Sequence, residues 1–166
     1  RSSRPAGQHD PVPAMWPTRA SLTNARDGPT AHRLAAGKVR IAGGSDSTSA
    51  ELYDPSTNSW SSGGTMRAVR KGHTATLLKD GTVLLAGGFD SPTSAPIYNP
   101  TNGTFTSVSN MIYGHSLHSS TLLADGRVLV SGGIIDYSSA ELYIPQTRGF
   151  VATGRRITGT HGHAGF

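Results

Sequence analysis

The sequence of 166 residues contains no cysteine. Disulfides, thiolate metal sites and cysteine nucleophiles are therefore excluded for this stretch of chain. No apolar run approaches the length of about 18 residues that spans a membrane, and Arg1 does not open a charged-then-apolar leader. We expect a processed or excised segment of a soluble protein with no membrane partner, and its composition leaves the cellular compartment open.

Charged residues are also few, at 15% of the chain, and the formal net charge of +5 is unevenly placed. Residues 1–40 carry seven basic residues against two acidic ones, whereas residues 41–166 carry eight of each. The basic residues are scattered singly and are not interleaved with aromatic residues. This pattern does not favour nucleic-acid binding.

What the chain has in abundance is glycine, with 21 residues, placed at a regular interval. The string HTATLLKDGTVLLAGG at 73–88 returns as HSSTLLADGRVLVSGG at 118–133, with ten of sixteen positions identical. Landmarks recur every 44 or 45 residues: Gly-Gly pairs at 43/44, 87/88 and 132/133, tyrosines at 53, 98 and 143, and aromatic residues at 60, 105 and 150. Such a period indicates a repeat protein and favours turns over disorder.

Each repeat unit reads as four short antiparallel strands. HTATLL alternates small or polar residues with apolar ones, TVLLAGG is a short apolar run, and Asp80-Gly81 between them predicts a tight hairpin. The first unit keeps Gly37 but has Ala36 in place of the aspartate. A third strand is expected to end at the proline that follows each tyrosine, and a fourth carries the aromatic residue.

A four-stranded sheet of this size cannot bury both faces alone, so successive units must stack on one another. The Gly-Gly pairs suit close approach of a neighbouring backbone. Trp60, Phe105 and Phe150 would fill the wider space on the outside of a radial array. The expected fold class is all-β, with sheets arranged around an axis.

The string HTATLLKDGTVLLAGG, the Tyr-x-Pro step and the later aromatic residue resemble the kelch repeat of bacterial kelch proteins and of the central domain of galactose-oxidase-like proteins. The resemblance implies a β-propeller in which the first strand of each unit lines the axial channel. It also favours an extracellular or cell-envelope location.

Even a four-bladed ring would need about 180 residues at this spacing. We therefore predict one incomplete propeller domain over 1–166, whose open edges would be covered by self-association or by additional blades. Its expected parts are the outer half of a blade at 1–22, three blades at 23–66, 67–111 and 112–157, and the start of an inner strand at 158–166.

The connections on one side of the array keep their turn chemistry, whereas those on the other side differ from unit to unit. Variable loops on a repeated scaffold are typical of ligand contacts. The predicted binding face comprises Arg67, Arg70, Lys71, Phe89, Asp90, Tyr113, His115, Ile135, Asp136, Tyr137, Arg155, Arg156 and His161.

Histidines at 73, 118 and 163 share one register, where the first unit has Pro29. They could gather as metal ligands around the channel, but repetition at the fold period favours a structural hydrogen bond in each blade. His161 and His163 alone supply half a metal site. Asp46, Asp90 and Asp136 lack the dense carboxylate spacing of a calcium loop and are interpreted as turn residues, so we predict no metal site.

Galactose-oxidase-like enzymes hold copper with tyrosine and histidine ligands and use a tyrosine crosslinked to a cysteine, which this chain lacks. Tyr53, Tyr98 and Tyr143 lie in the repeated third strand and are interpreted as scaffold residues. The residues thus indicate no catalytic site and no cofactor. We predict a noncatalytic scaffold that binds a protein or glycan; the alternatives are a fragment of a copper-radical oxidase and a structural module of a larger secreted protein.

Overall fold

The computed structural model describes residues 20–44 and 47–154. Regular structure there consists of three four-stranded antiparallel sheets, and the described residues include no helix that could cross a membrane. Sheet 1 contains β1 Thr30–Arg33, β2 Val39–Ala42, β3 Ser49–Asp54 and β4 Ser59–Thr65; sheet 2 contains β5 Thr74–Leu77, β6 Val83–Ala86, β7 Pro96–Asn99 and β8 Thr104–Ser107; sheet 3 contains β9 Ser119–Leu122, β10 Val128–Ser131, β11 Ala140–Ile144 and β12 Gly149–Ala152. The predicted all-β class and the four strands per unit are confirmed. The unit boundaries stay a prediction.

The first two strands of each sheet form a tight hairpin closed by a glycine. In sheet 1 the Leu34 N–H donates to the Lys38 carbonyl at 2.8 Å, and Gly37 has a φ of 81°. Gly81 has a φ of 83° at the matching turn of sheet 2. Glycine adopts this left-handed conformation without a Cβ penalty, so the turn forms although Ala36 replaces the aspartate.

The third and fourth strands carry a repeated aromatic pair. Strands β3, β7 and β11 each end immediately before a proline, as expected of a residue that cannot donate to a β-ladder. Directly opposite one another across the ladder lie Tyr53 and Trp60, Tyr98 and Phe105, and Tyr143 and Phe150, with ring centroids 5.1, 4.9 and 5.1 Å apart. These tyrosines therefore belong to the scaffold.

The hydrophobic core lies between the sheets. One cluster joins sheets 1 and 2 and contains Ala42, Val83, Leu85 and Tyr98; a second joins sheets 2 and 3. All four residues of β6 are buried because the middle sheet is covered on both faces. The predicted stacking of units on one another is confirmed.

Glycines at the ends of the second strands allow a neighbouring connection to approach closely. A Cβ at Gly43 would lie 2.6 Å from the Arg70 carbonyl oxygen, and one at Gly87 would lie 2.2 Å from the His115 carbonyl oxygen. Any side chain would clash at these distances. The Gly-Gly pairs thus serve the packing of one unit against the next, as predicted.

Candidate functional site

Two sets of connections lie together on one side of the molecule, and we call this side the loop face. They are the β2–β3, β6–β7 and β10–β11 connections, and residues 66–73 and 108–118, which lead into the next sheet. Backbone hydrogen bonds join the two sets: the Phe89 N–H donates to the Lys71 carbonyl at 2.9 Å and the Ile134 N–H to the Ser116 carbonyl at 3.0 Å. The loop face is therefore held by the backbone itself.

The predicted binding residues fall into four groups. Arg67, Phe89, Asp90, Ile135 and Tyr137 are exposed; Lys71, Tyr113 and Asp136 are half-buried; Arg70 and His115 are buried; Arg155, Arg156 and His161 lie outside the described residues. The structure thus corrects the placement of Arg70 and His115. The exposed and half-buried residues stay predictions as ligand contacts.

Arg70 and His115 are buried because each holds a connection to the sheet that follows it. Arg70 Nη1 donates to the carbonyls of Gly87 at 2.8 Å and Ser94 at 3.0 Å. His115 Nδ1 lies 2.8 Å from the carbonyl oxygen of Gly132 in sheet 3, which follows it. Both side chains anchor the loop face from beneath, with almost no surface of their own exposed.

Two exposed apolar residues of the loop face escaped the sequence prediction. Ile112 and Leu117 are 51% and 45% exposed. Together with Phe89, Ile135 and Tyr137 they are five of the six exposed large hydrophobic residues in the described part of the chain. Exposed apolar surface is therefore concentrated on this face.

These apolar side chains form two close groups. A Cβ at Gly72 would lie 3.0 Å from Phe89 Cε2 and 3.1 Å from Leu117 Cδ2, so both side chains cover the same glycine. A Cβ at Gly114 would lie 3.2 Å from both Pro92 Cβ and Ile135 Cγ2. Glycine leaves room for the larger side chains to lie over the backbone.

Leu117 has an unusual backbone conformation. Its φ is 52°, in the left-handed region that favours glycine. The residues at the same place in the repeat are Gly28 and Gly72, with φ of 66° and 68°. Aligning the residues that precede Pro29, His73 and His118 would have revealed this substitution from the sequence.

Charged side chains on the loop face are partly engaged with the protein. Lys71 Nζ forms an ion pair with the carboxylate of Asp27 in the preceding connection. Asp136 accepts hydrogen bonds from the N–H groups of Ser138 at 3.2 Å and Ser139 at 3.1 Å. These contacts agree with the interpretation of Asp136 as a turn residue. Asp46 lies outside the described residues.

The histidines of the shared register join the inner strands of successive sheets. His73 Nε2 lies 2.8 Å from Thr30 Oγ1, and His118 Nε2 lies 2.9 Å from Thr74 Oγ1. Burial, assisted by the charges of Arg70 and Arg40, lowers the pKa of His73 to about 3. The predicted structural hydrogen bond is confirmed in both described instances, and His163 lies outside them.

Beside these histidines the inner strands line an open depression of about 280 Å³. Hydroxyl groups of Thr30, Thr74, Ser119 and Ser120 contribute to its wall. Burial, with His115 and His73 nearby, lowers the pKa of His118 to about 3. Within residues 20–44 and 47–154, no three histidine, aspartate or glutamate side chains lie together as a group that could hold a metal ion.

No protein-family model and no curated protein matches the sequence. Among solved structures, the chain is similar to a novel fungal alcohol oxidase with catalytic diversity among the AA5 family, in complex with copper, at 20% identity over 76% of this chain and a TM-score of 0.65. It is also similar to YjhT, at 15% identity over 86% of this chain and a TM-score of 0.71. The chain spans 30% of the length of the oxidase and 55% of that of YjhT. At these identities the likeness shows the fold alone: the three sheets are those of a kelch-like β-propeller.

Proposed function

We propose that this chain is a noncatalytic binding scaffold that presents its loop face to a protein or glycan. The observation that carries the proposal is the concentration of exposed apolar side chains on the loop face. Scattered apolar residues are ordinary on protein surfaces, but their grouping on one side is typical of an interaction site.

The backbone of Leu117 supports the same conclusion. A left-handed conformation costs a residue with a branched side chain about 1–2 kcal/mol relative to glycine. The leucine is nevertheless 45% exposed, so burial offsets only part of this cost. A strained and exposed apolar residue is favoured where its side chain contributes to contact with a ligand.

The loop face is also rigidly supported, which favours binding. Backbone hydrogen bonds such as Gly88 N–H to the His115 carbonyl, at 3.0 Å, connect neighbouring loops. Arg26, Arg70 and His115 hold the connections to the sheets from within. Loops held in one conformation lose little conformational entropy when a ligand binds, so affinity per contact is higher.

The test compares a loop-face variant with a matched surface variant. The loop-face variant combines Phe89→Ser, Leu117→Gly and Tyr137→Ser. The control is Val151→Ser, because Val151 is an apolar residue that is 44% exposed on β12, away from the loops. The chain is screened on a glycan array and against proteins of its source, and each retained ligand is titrated against the three chains.

We expect the loop-face variant to bind at least tenfold more weakly, because apolar and aromatic anchors dominate binding energy at interfaces. The control should bind as the unchanged chain does. Equal binding by all three chains would contradict the proposal and would favour a structural module, whose interactions do not depend on these side chains.

A second candidate is a segment of a copper-radical oxidase, which the likeness to a copper-containing alcohol oxidase favours. This function predicts that the protein takes up copper and releases peroxide from primary alcohols. Copper content and peroxide formation are measured on the 166-residue chain and on any longer product that contains it. Turnover by either protein would replace the scaffold proposal with an enzymatic one.

A further inference from the structure

A buried carboxylate links the loop face to sheet 1. Glu51 accepts hydrogen bonds from the N–H of Thr23 at 2.8 Å, from the N–H of Asn24 at 3.4 Å and from Arg26 Nη2 at 2.9 Å. Burial alone would raise the pKa of Glu51, but these hydrogen bonds outweigh it and hold the pKa below its usual range. The carboxylate is thus the acceptor for two backbone donors and one cationic side chain.

Sheet 3 repeats the arrangement with different side chains. Glu141 accepts from the N–H of Ile112 at 2.8 Å and of Tyr113 at 3.2 Å, and it lies 3.1 Å from His115 Nε2. These residues occupy the same places in the repeat as their counterparts around Glu51. The socket therefore consists of two adjacent N–H groups and one basic side chain around a glutamate.

Sheet 2 has the socket but lacks the glutamate. The repeat puts Pro96 at the glutamate position, whereas Arg67, Ala68 and Arg70 occupy the donor positions. The N–H groups of Arg67 and Ala68 make no hydrogen bond to any described residue. Arg70 Nη2, the counterpart of the Arg26 Nη2 that donates to Glu51, has the Ser94 hydroxyl as its partner among the described residues.

Among residues 20–44 and 47–154, this arrangement leaves a buried cation without a counter-ion. Arg70 is only 2% exposed, and within the described part of the chain its guanidinium contacts two carbonyl oxygens and the Ser94 hydroxyl but no carboxylate. A buried charge is costly unless it is paired. Arg67 is exposed and Ala68 half-buried, so the two residues that carry the unpaired donors lie at the surface.

We propose that the Pro96 socket, formed by the N–H groups of Arg67 and Ala68 and the guanidinium of Arg70, binds a carboxylate group supplied by a ligand. The carboxylate belongs either to a small organic acid or to an acidic side chain of a protein. This inference rests on the proposed function for the identity of the binding side, and it names the chemistry that the loop face recognises there.

A carboxylate suits the socket because the sister sheets fill the same positions with one. Two adjacent N–H donors and a basic side chain match the two oxygens of a planar monoanion. Chloride lacks this shape, and a tetrahedral dianion is larger than the glutamate carboxylate. The socket should therefore prefer acetate to chloride or sulfate at equal ionic strength.

The test is an NMR titration of the full 166-residue chain with sodium acetate, against sodium chloride and sodium sulfate at matched ionic strength. We expect saturating shifts of the backbone amides of Arg67 and Ala68 and of the guanidinium Nη–H groups of Arg70. For a ligand of four heavy atoms, half-saturation should lie at about 1–100 mM. A short peptide with a single internal glutamate, compared with its glutamine version, distinguishes a protein side chain from a free acid as the source.

Two variants make the result decisive. Pro96→Glu restores the internal carboxylate and should weaken the acetate response at least tenfold, while Pro96→Gln, which removes the proline without adding a charge, should retain it. Pro96→Glu should also unfold at a higher temperature than Pro96→Gln. Amides that do not respond to acetate, or that respond equally in both variants, would overturn the inference.

The acetate titration and the test of the proposed function can fail separately. The titration uses acetate and needs no macromolecular partner, so an absent response removes the socket but leaves apolar binding by the loop face intact. Conversely, normal binding by the loop-face variant would contradict the proposed function, whereas an acetate response would still support the socket.

Discussion

Acid should destabilise this protein through the two histidines that join its inner strands. His73 and His118 are 5% and 4% exposed, and each is held beside a threonine hydroxyl of the preceding sheet. Burial lowers the pKa of both to about 3. In the unfolded chain the same imidazoles return to the ordinary value of about 6.5.

The magnitude follows from the difference between these values. Between about pH 6.5 and pH 3 the unfolded chain binds protons that the folded chain does not, so the free energy of unfolding decreases as pH falls. Each histidine contributes about 2 kcal/mol of lost stability between pH 7.5 and pH 5, and the two together contribute about 4 kcal/mol. Such a loss is a large part of the stability of an ordinary domain.

The assay is urea unfolding at several pH values, combined with NMR titration of the imidazole protons. Replacing either histidine by glutamine should halve the loss of stability between pH 7.5 and pH 5, and His73→Gln with His118→Gln together should abolish most of it. Groups such as His32 and Glu51 remain in every variant, so their contribution cancels in the comparison. Imidazole pKa values near 6.5 in the folded chain, or equal pH dependence in all variants, would show that these histidines do not cause the loss of stability in acid.

Two further changes test the packing between sheets. Arg40 is fully buried, and its guanidinium has no hydrogen-bond partner among the described residues. It lies 4.6 Å from the centroid of an aromatic ring in sheet 2, and the repeat has Leu84 at its place. Arg40→Leu should therefore raise the free energy of unfolding by about 1–3 kcal/mol in urea titrations, and a decrease would contradict this. Gly87→Ala places a Cβ 2.2 Å from the His115 carbonyl oxygen at a φ of 65°, whereas Gly103 has a φ of 69° and open space around it. In thermal unfolding, Gly87→Ala should therefore lose at least about 2 kcal/mol more stability than Gly103→Ala. Equal losses would exclude the clash.

Much of the fold was predictable because the same local features recur in successive units of one sequence. The Asp-Gly hairpin, the proline that ends each third strand and the paired aromatic residue recur at one spacing, and each is a local signal. The hydrogen bonds of His73 and His118 were also predictable, since a side chain that recurs at the fold period is most often structural. Repetition thus distinguished scaffold from variable surface.

The candidate site was predicted less completely. Placing Arg70 and His115 in variable loops did not reveal that carbonyl oxygens of the following sheet draw them into the interior. Leu117 was missed although its alignment with Gly72 carried the signal. Alignment of the units also shows that sheet 2 has Pro96 where sheets 1 and 3 have Glu51 and Glu141. The consequence could be inferred only once the backbone donors around the glutamates were known.

The strand order, the turns and the stacking of one unit on the next follow from the sequence alone, because hairpin chemistry is local and a single small sheet cannot bury its apolar faces. The folded chain is needed to show which loop residues are exposed, which anchor the loops from within and where a basic side chain lacks its carboxylate. Those properties depend on contacts between residues of different units and different connections, and no local pattern encodes such distances.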